Sequence, residues 1–245
     1  MERRSDFYKP ASATCATLRS MKTSIVPILQ YDDAPAAVEW LIRVLGFAKD
    51  GGALRFGPSP VIVRPIGHAT GAWSGVRQGT YVSVPGASDA TKQDLEGYVW
   101  SLGADDLSAG SDDLALVPEI RYRSLASATQ WLQRELGFET TFEVSGPDGV
   151  PVHIEMRLGG GTLFVGPRST DRGVFGDVLQ FLNLIVDDCD RHHANARAAG
   201  ANVVIAPRDT PFGARFYAVR DPEQMLWWVS TYRPAKAGAA RLGAS

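Results

Sequence analysis

One stretch of this chain occurs twice and decides the fold. Residues 25–47 read IVPILQYDDAPAAVEWLIRVLGF, and residues 116–138 read LVPEIRYRSLASATQWLQRELGF, so the pattern returns without a gap. Each copy predicts a short strand that ends in a tyrosine. A helix is predicted to follow, because apolar residues recur every three or four positions. It is expected to end at the glycine of Leu-Gly-Phe, since glycine is typical of helix C-termini. The chain therefore contains a repeated strand–helix unit.

Further strands are expected after each helix. They are residues 53–56 and 60–64 in the first copy, and residues 139–144, 152–158 and 162–165 in the second. The turn Gly-Pro-Asp-Gly at 146–149 joins two of these strands and is typical of a β-hairpin. Each copy therefore predicts a helix with a small antiparallel sheet.

A second strand–helix unit is predicted in each half. The first half has a strand at 79–84 and a helix near 88–102, and the second half has a strand at 178–186 and a helix near 188–199. Only the second half continues into three more strands, at 202–205, 214–220 and 225–232. The first copy is therefore expected to lack its last three strands.

These patterns divide the chain into two unequal domains. We predict a truncated domain over 22–105, a polar linker over 106–113 and a complete domain over 114–234. The small and polar residues at the ends predict a flexible leader over 1–21 and a flexible tail over 235–245.

The composition excludes several classes of partner. The 245 residues carry a net charge of −2, so we expect neither nucleic acid nor an anionic membrane surface to bind. No apolar run approaches the roughly 18 residues of a membrane span. The two cysteines lie far apart and suggest neither a disulfide framework nor a cysteine metal site. A cytoplasmic location is expected.

Three segments together resemble a known superfamily. They are the repeated Val-Pro-x-(Ile/Leu)-x-Tyr strand with its Leu-Gly-Phe helix end, the block VHIEMRLGGGTLFVGP at 152–167, and the closing run PFGARFYAVRDPEQMLWWVSTYRP at 211–234. They resemble the vicinal-oxygen-chelate superfamily, and within it the branch of glyoxalases and bleomycin-resistance proteins. The resemblance implies an α+β fold in which tandem βαβββ modules form U-shaped mixed or antiparallel sheets. Helices would cover the convex face, and the concave face would hold a small molecule.

Metal-dependent members of that superfamily place a His, Gln or Glu ligand at four equivalent strand positions. Carried onto this sequence, these positions fall at Val117, near 163–165, at Phe181 and at Trp228, and none of these side chains is a metal ligand. We therefore expect no metal and no cofactor. His153 and Glu155 share one strand face, but two ligands do not make a site. The alternative to a metal-binding role is that Glu155 pairs with Arg157 on the same strand face.

Strand alternation predicts which side chains face the concavity. If Pro118, Ile120 and Tyr122 face a helix, then Glu119 and Arg121 face inward, either paired with each other, hydrated, or bound to a ligand. Further inward candidates are Phe181, Asn183 and Trp228. On the strand at 152–158, the face away from the concavity is expected to be buried under a helix and carries Val152, Ile154, Met156 and Leu158. Trp228 with Phe181 stacks on a planar ligand, or Trp228 fills the cavity or an interface with the truncated copy.

Two positions of the closing run receive structural interpretations. Arg215 is expected to tie its strand to a nearby carboxylate such as Asp221. Gln224 stands where the superfamily pattern has a glycine, which leaves the geometry of that turn open.

These observations favour a metal-independent protein that binds, and so sequesters, an aromatic or natural-product small molecule. The candidate ligand-binding residues are Glu119, Arg121, His153, Glu155, Phe181, Asn183 and Trp228. The alternative is a metal-free lyase, isomerase or cyclase of the same fold, with Glu119 or His153 as the acid/base residue. The sequence does not decide between enzyme and binding protein. We expect either a homodimer or a monomeric pseudo-dimer.

Overall fold

The computed structural model describes residues 24–50, 53–66, 76–83, 88–94, 97–103, 115–168 and 178–234. The predicted leader (1–21), linker (106–113) and tail (235–245) lie outside these residues, and the domain boundaries stay a prediction. The described strands form two sheets, one from each half of the chain.

The first sheet has seven strands. They are β1 (Ser24–Tyr31), β2 (Ala48–Asp50), β3 (Ala53–Phe56), β4 (Ser59–Pro65), β5 (Gln78–Ser83), β6 (Ala90–Gln93) and β7 (Val99–Gly103). Their order across the sheet is β2-β3-β4-β1-β5-β7-β6. Helix α1 (Ala34–Leu45) follows β1.

The second sheet has eight strands. They are β8 (Leu116–Tyr122), β9 (Glu139–Ser145), β10 (Pro151–Leu158), β11 (Gly161–Pro167), β12 (Gln180–Ile185), β13 (Asn202–Asp209), β14 (Arg215–Arg220) and β15 (Leu226–Ser230). Their order is β13-β14-β15-β12-β8-β11-β10-β9. Helix α2 (Leu125–Trp131) runs on as a π-helical turn over Leu132–Leu136, and α3 (Cys189–Ala198) follows β12.

The repeated sequence builds the same unit in both halves. The side chain of Asp33 caps α1 by accepting from the backbone N–H of Ala36 at 3.0 Å, and Ser124 caps α2 in the same way. Both helices end at a glycine with a φ of 79°, Gly46 and Gly137. A left-handed residue there satisfies terminal carbonyls that the helix leaves unpaired. The prediction of a repeated strand–helix unit is confirmed.

The two sheets share one plan, and the α+β prediction is confirmed. In each sheet a central antiparallel pair, β1/β5 or β8/β12, is flanked by parallel neighbours, β4 and β7 or β11 and β15. Strands β6 and β7 therefore occupy the places of β14 and β15. The expectation that the first copy lacks three strands is wrong, because two of them are present.

The prediction of a helix near 88–102 is also wrong, because strands β6 and β7 lie in this segment. A turn between them replaces the helix: the Asp94 carboxylate accepts from the backbone N–H of Tyr98 at 2.9 Å, and Gly97 has a φ of 83°. Only residues 84–89 separate β5 from β6, too few for a ten-residue helix and a strand. Among the described residues of the first copy, no element corresponds to α3 or β13.

This turn repeats the turn of the closing run. Residues 94–100 read DLEGYVW and residues 221–227 read DPEQMLW. In the second turn Asp221 accepts from the N–H of Met225 at 2.9 Å and from the indole of Trp227 at 3.2 Å. Gln224 takes the place of Gly97 with a φ of 70°, the one described residue other than glycine with a positive φ. The turn geometry is therefore preserved, although its glycine is not.

The two turns join the domains. The hydroxyl of Tyr31 in β1 donates to Asp221 at 2.6 Å, and the hydroxyl of Tyr122 in β8 donates to Asp94 at 2.5 Å. Both tyrosines belong to the repeated stretch, and all four residues are buried. Each domain thus inserts its repeated tyrosine into the turn of the other.

The cores under the helices are shared in the same way. One cluster packs α1 and α3 against residues of both sheets, including Leu29, Leu182 and Trp227. The other packs α2 against both sheets, including Val82, Trp100 and Ile120. None of the described helices is long and apolar enough to cross a membrane.

Replacing Gln224 by glycine should stabilise the protein. A left-handed residue with a side chain costs about 1–2 kcal/mol, and glycine loses part of that gain to backbone entropy. We expect Gln224→Gly to raise the free energy of unfolding by about 0.5–1 kcal/mol in urea titrations. The matched control is Gly97→Ala, because a Cβ there meets no atom within 4 Å. It should lower the free energy of unfolding by about 1 kcal/mol through conformation alone; the same sign in both variants would contradict this explanation.

Removing either tyrosine hydroxyl should destabilise the chain. A hydrogen bond to a charged group contributes about 1.5–3 kcal/mol, so Tyr31→Phe and Tyr122→Phe should each lower the free energy of unfolding by that amount. In an Asp221→Asn background, Tyr31→Phe should cost less, because the acceptor has lost its charge. Equal costs in both backgrounds would show that the two groups are not coupled.

Candidate functional site

The second sheet is strongly curled. Tyr232, two residues beyond β15, donates its hydroxyl hydrogen to Glu155 on β10, although β12, β8 and β11 lie between these strands. With strands spaced about 4.8 Å apart, a flat sheet would separate β15 from β10 by about 19 Å, far beyond the reach of a tyrosine. The face that carries both side chains is therefore concave, in agreement with the predicted U shape.

A row of paired residues crosses the floor of this face. Phe181 on β12, Glu119 on β8, Phe164 on β11 and Glu155 on β10 are successive register partners. The next residue of β11 on the same face after Phe164 is Gly166, where a Cβ would lie 2.8 Å from Oε1 of Glu119. The absent side chain of Gly166 therefore makes the space that the Glu119 carboxylate occupies.

All seven candidate residues lie on this face. The amide of Asn183 hydrogen-bonds Glu119 and also donates to the carbonyl oxygen of Val117 at 3.2 Å. The His153 ring packs on Phe164 with their centroids 5.0 Å apart. The strand pairing places the other four candidates on the same face: Arg121, Glu155, Phe181 and Trp228. Strand alternation thus placed the side chains, and their part in ligand binding stays a prediction.

The Glu119 carboxylate is poorly hydrated. Burial raises the pKa of Glu119, and the opposing effects of His153, Arg121 and the Asn183 hydrogen bond are each smaller. Solvent still reaches part of the side chain. The Arg121 guanidinium is shared between partners, because its Nε donates to the carbonyl oxygen of Pro167 at 2.7 Å. The floor therefore presents a carboxylate that the chain only partly neutralises.

Glu155 lies deeper, with no exposed surface. It accepts from Tyr232, and Nε2 of His153 lies 3.5 Å from its Oε1. The prediction that Glu155 pairs with Arg157 is therefore wrong, because Tyr232 and His153 lie beside its carboxylate instead. Burial and the Glu155 carboxylate raise the pKa of Tyr232, so its phenol remains a donor.

The other face of β10 agrees only in part with the prediction. Ile154, Met156 and Leu158 are buried under α2, as expected. Val152 is 45% exposed, so its predicted burial is wrong. It lies where a register shift between Pro151 and His153 loosens the strand.

Aromatic rings line the other half of the concavity. The indole of Trp228 stacks on Phe216 with centroids 3.8 Å apart and 9° between the planes, and the Phe181 ring lies 6.1 Å from Trp228. We call Phe181, Trp228 and Phe216 the aromatic strip. Trp228 is partly exposed, so filling the cavity and stacking on a ligand both remain open: it packs on its neighbours and also offers surface to a ligand.

Sequence reasoning missed three members of the site. Tyr232 was detectable, because the alternation Trp228, Ser230, Tyr232 continues inward along the closing run. Phe216 and Arg208 gave no such signal, since their position depends on how β13 and β14 pair with β15.

The prediction for Arg215 names the wrong carboxylate. Arg215 bonds Asp190 at 2.7 Å and Asp209 at 3.0 Å. Asp221 lies at the opposite end of β14, inside the domain contact with Tyr31. The structural role expected for Arg215 holds, with different partners.

The residues at the four metal-ligand positions do not fit a metal. Val117 and Phe164 pack with Ile185 and Tyr232 into an apolar cluster on the concave face, and Phe181 and Trp228 belong to another. None of these positions offers a lone pair to a metal ion. Across the described residues, no three His, Cys, Asp or Glu side chains come together as potential ligands.

Comparison with known proteins assigns the family. Residues 115–229 match the family model of the Glyoxalase/Bleomycin resistance protein/Dioxygenase superfamily. The chain belongs to this superfamily. An uncharacterized protein from Mycobacterium bovis is 30% identical over 121 residues, which cover 46% of this chain and 80% of that protein. One from Mycobacterium tuberculosis is 29% identical over 130 residues, covering 50% and 76%.

Two solved structures align with most of this chain. The Mn(II)-bound glyoxalase from Novosphingobium aromaticivorans aligns with a TM-score of 0.60 at 10% identity, covering 92% of this chain and 87% of that one. The 2,3-dioxygenase LapB from Pseudomonas sp. KL28 aligns with a TM-score of 0.56 at 13% identity, covering 90% and 95%. At these identities the likeness extends to the fold alone.

Glu119 should make stability depend on pH in a defined direction. Its pKa is raised in the folded state, so the folded protein holds this proton more tightly and loses stability as pH rises. Glu119→Gln removes that loss. We expect urea titrations to show the variant gaining on the wild type as the pH rises above the ordinary glutamate pKa of about 4.3, with Glu39→Gln on the exposed face of α1 as the charge control. A difference that stays constant with pH would contradict the raised pKa.

Proposed function

We propose that the concave face of the second domain binds a planar aromatic small molecule and that this binding needs no metal. In this proposal the ring lies on the aromatic strip, and a hydrogen-bond donor of the ligand meets Glu119. The observation that carries the proposal is a carboxylate that is both desolvated and reachable, set directly beside Phe181 in the sheet. A group in that condition is unfavourable for folding and is best explained by a ligand that completes its hydrogen bonds.

The arrangement suffices for capture without chemistry. Stacking on an aromatic ring contributes about 0.5–1.5 kcal/mol beyond the buried area, and a hydrogen bond to a charged group contributes about 1.5–3 kcal/mol. Together with burial of the ring, these contributions favour binding of an aromatic ligand. Sequestration of an aromatic or natural-product ligand is therefore our first proposal.

One observation favours a second candidate, a metal-free lyase, isomerase or cyclase. The raised pKa of Glu119 suits a general acid/base, and Glu155 lies 3.5 Å from His153, where it would orient the imidazole. In this reading Glu119 or His153 moves a proton on the bound ligand, whereas in the first the ligand leaves unchanged.

Calorimetric titration of the full chain against a panel of aromatic metabolites and natural products tests the binding proposal. We expect at least one micromolar binder, about tenfold weaker binding by Glu119→Gln and by Trp228→Ala, and no effect of a chelator. Glu39→Gln should bind as the wild type does. Affinities no tighter than millimolar, about −4 kcal/mol, or binding restored only by added metal, would refute the proposal.

Product analysis separates the two candidates. After incubation with the best binder, an unchanged ligand supports sequestration, and a new product supports the enzyme. If there is turnover, Glu119→Gln or His153→Ala should reduce it by about a hundredfold or more. Full turnover in both variants would exclude the assigned acid/base residues.

A further inference from the structure

Charged side chains lie at both ends of the aromatic strip. At one end are two carboxylates, Glu119 on β8 and Glu155 on β10, together with Arg121, whose guanidinium carbon lies 5.8 Å from the centroid of Phe181. At the other end of the aromatic strip, Arg208 on β13 places its guanidinium carbon 5.1 Å from the centroid of Phe216. A ligand that lies along the strip therefore meets two carboxylates beside one guanidinium at the first end, and the Arg208 guanidinium at the second.

Arg208 is available to a ligand. Its side chain is exposed, and within the described part of the chain no carboxylate lies within ion-pair distance of it. The adjacent carboxylate, Asp209, is bonded to Arg215 instead. A register shift between Ile205 and Arg208 interrupts the β13–β14 pairing, and such irregularities commonly redirect a side chain beside a site.

We propose that the ligand is a planar aromatic acid whose carboxylate, sulfonate or phosphate binds Arg208. This inference rests on the proposed function and adds the charge and the orientation of the ligand. The ring lies on Trp228 and Phe181, and the acid points toward β13. The reverse orientation would bring the anion against Glu119, at a cost in repulsion and desolvation. A guanidinium offers paired donors that match such anions.

Three probes with one ring system test the charge: 2-naphthoate, 2-naphthamide and (2-naphthyl)methylammonium, titrated into the full chain by calorimetry. We expect naphthoate to bind about tenfold more tightly than the amide, and the ammonium more weakly than either. Arg208→Gln should reduce naphthoate to the affinity of the amide and leave the amide unchanged. Arg208→Lys should recover part of the preference, and Arg134→Gln, at an exposed residue of the π-helical turn, should change nothing.

The outcomes separate this inference from the function beneath it. Equal affinity for the three probes, a preference for the ammonium, or a naphthoate preference that survives Arg208→Gln would overturn the inference and leave aromatic binding intact. If the preference is lost in Arg121→Gln instead, the anion binds at the wrong end, and the inference is equally overturned. If no probe binds more tightly than millimolar, aromatic binding itself fails.

Discussion

The structure depends on two buried carboxylates that each require a donor from the other domain. Asp94 and Asp221 lie in equivalent turns, and the repeated tyrosines, Tyr122 and Tyr31, reach them across the domain contact. Burial raises the pKa of Asp221 even though a phenol, an indole and two backbone N–H groups donate to it. An uncompensated buried charge is strongly destabilising. Neither domain alone would therefore satisfy its own turn.

This contact also fixes the face of the strand that forms the site. Ile120 and Tyr122 on β8 point into the shared core and the domain contact. Because side chains alternate along a strand, Glu119 and Arg121 must point into the concavity. A slip of one residue would exchange the two sets and bury both charged groups in the core. The hydrogen bond that joins the domains thus holds the carboxylate of the site in register.

The sequence predicted what depends on local pattern. The repeat gave the strand–helix units with their caps, and alternation along β8, β12 and β15 gave the inward faces. The sequence did not predict the elements and side chains whose positions depend on contacts between distant segments. The sequence predicts a helix over 88–102 by analogy with α3. The equivalence of 94–100 with the turn at 221–227 is hard to recognise, because the two segments share only an aspartate, a glutamate and a tryptophan. The positions of Arg208 and Phe216 could not be predicted, since they depend on sheet curl and on irregular pairing at an edge strand.

The replacements at the metal-ligand positions form one packed arrangement. Val117 and Phe164 pack with Tyr232, and the Tyr232 hydroxyl satisfies Glu155, which lies beside Phe164 in the sheet. Phe181 and Trp228 form the aromatic strip next to Glu119. Restoring one ligand would therefore leave a polar group among apolar neighbours and disturb the contacts of the others. The concave face is built around aromatic packing and around the partly neutralised carboxylate of Glu119, and this supports the proposal that it recognises an organic ring.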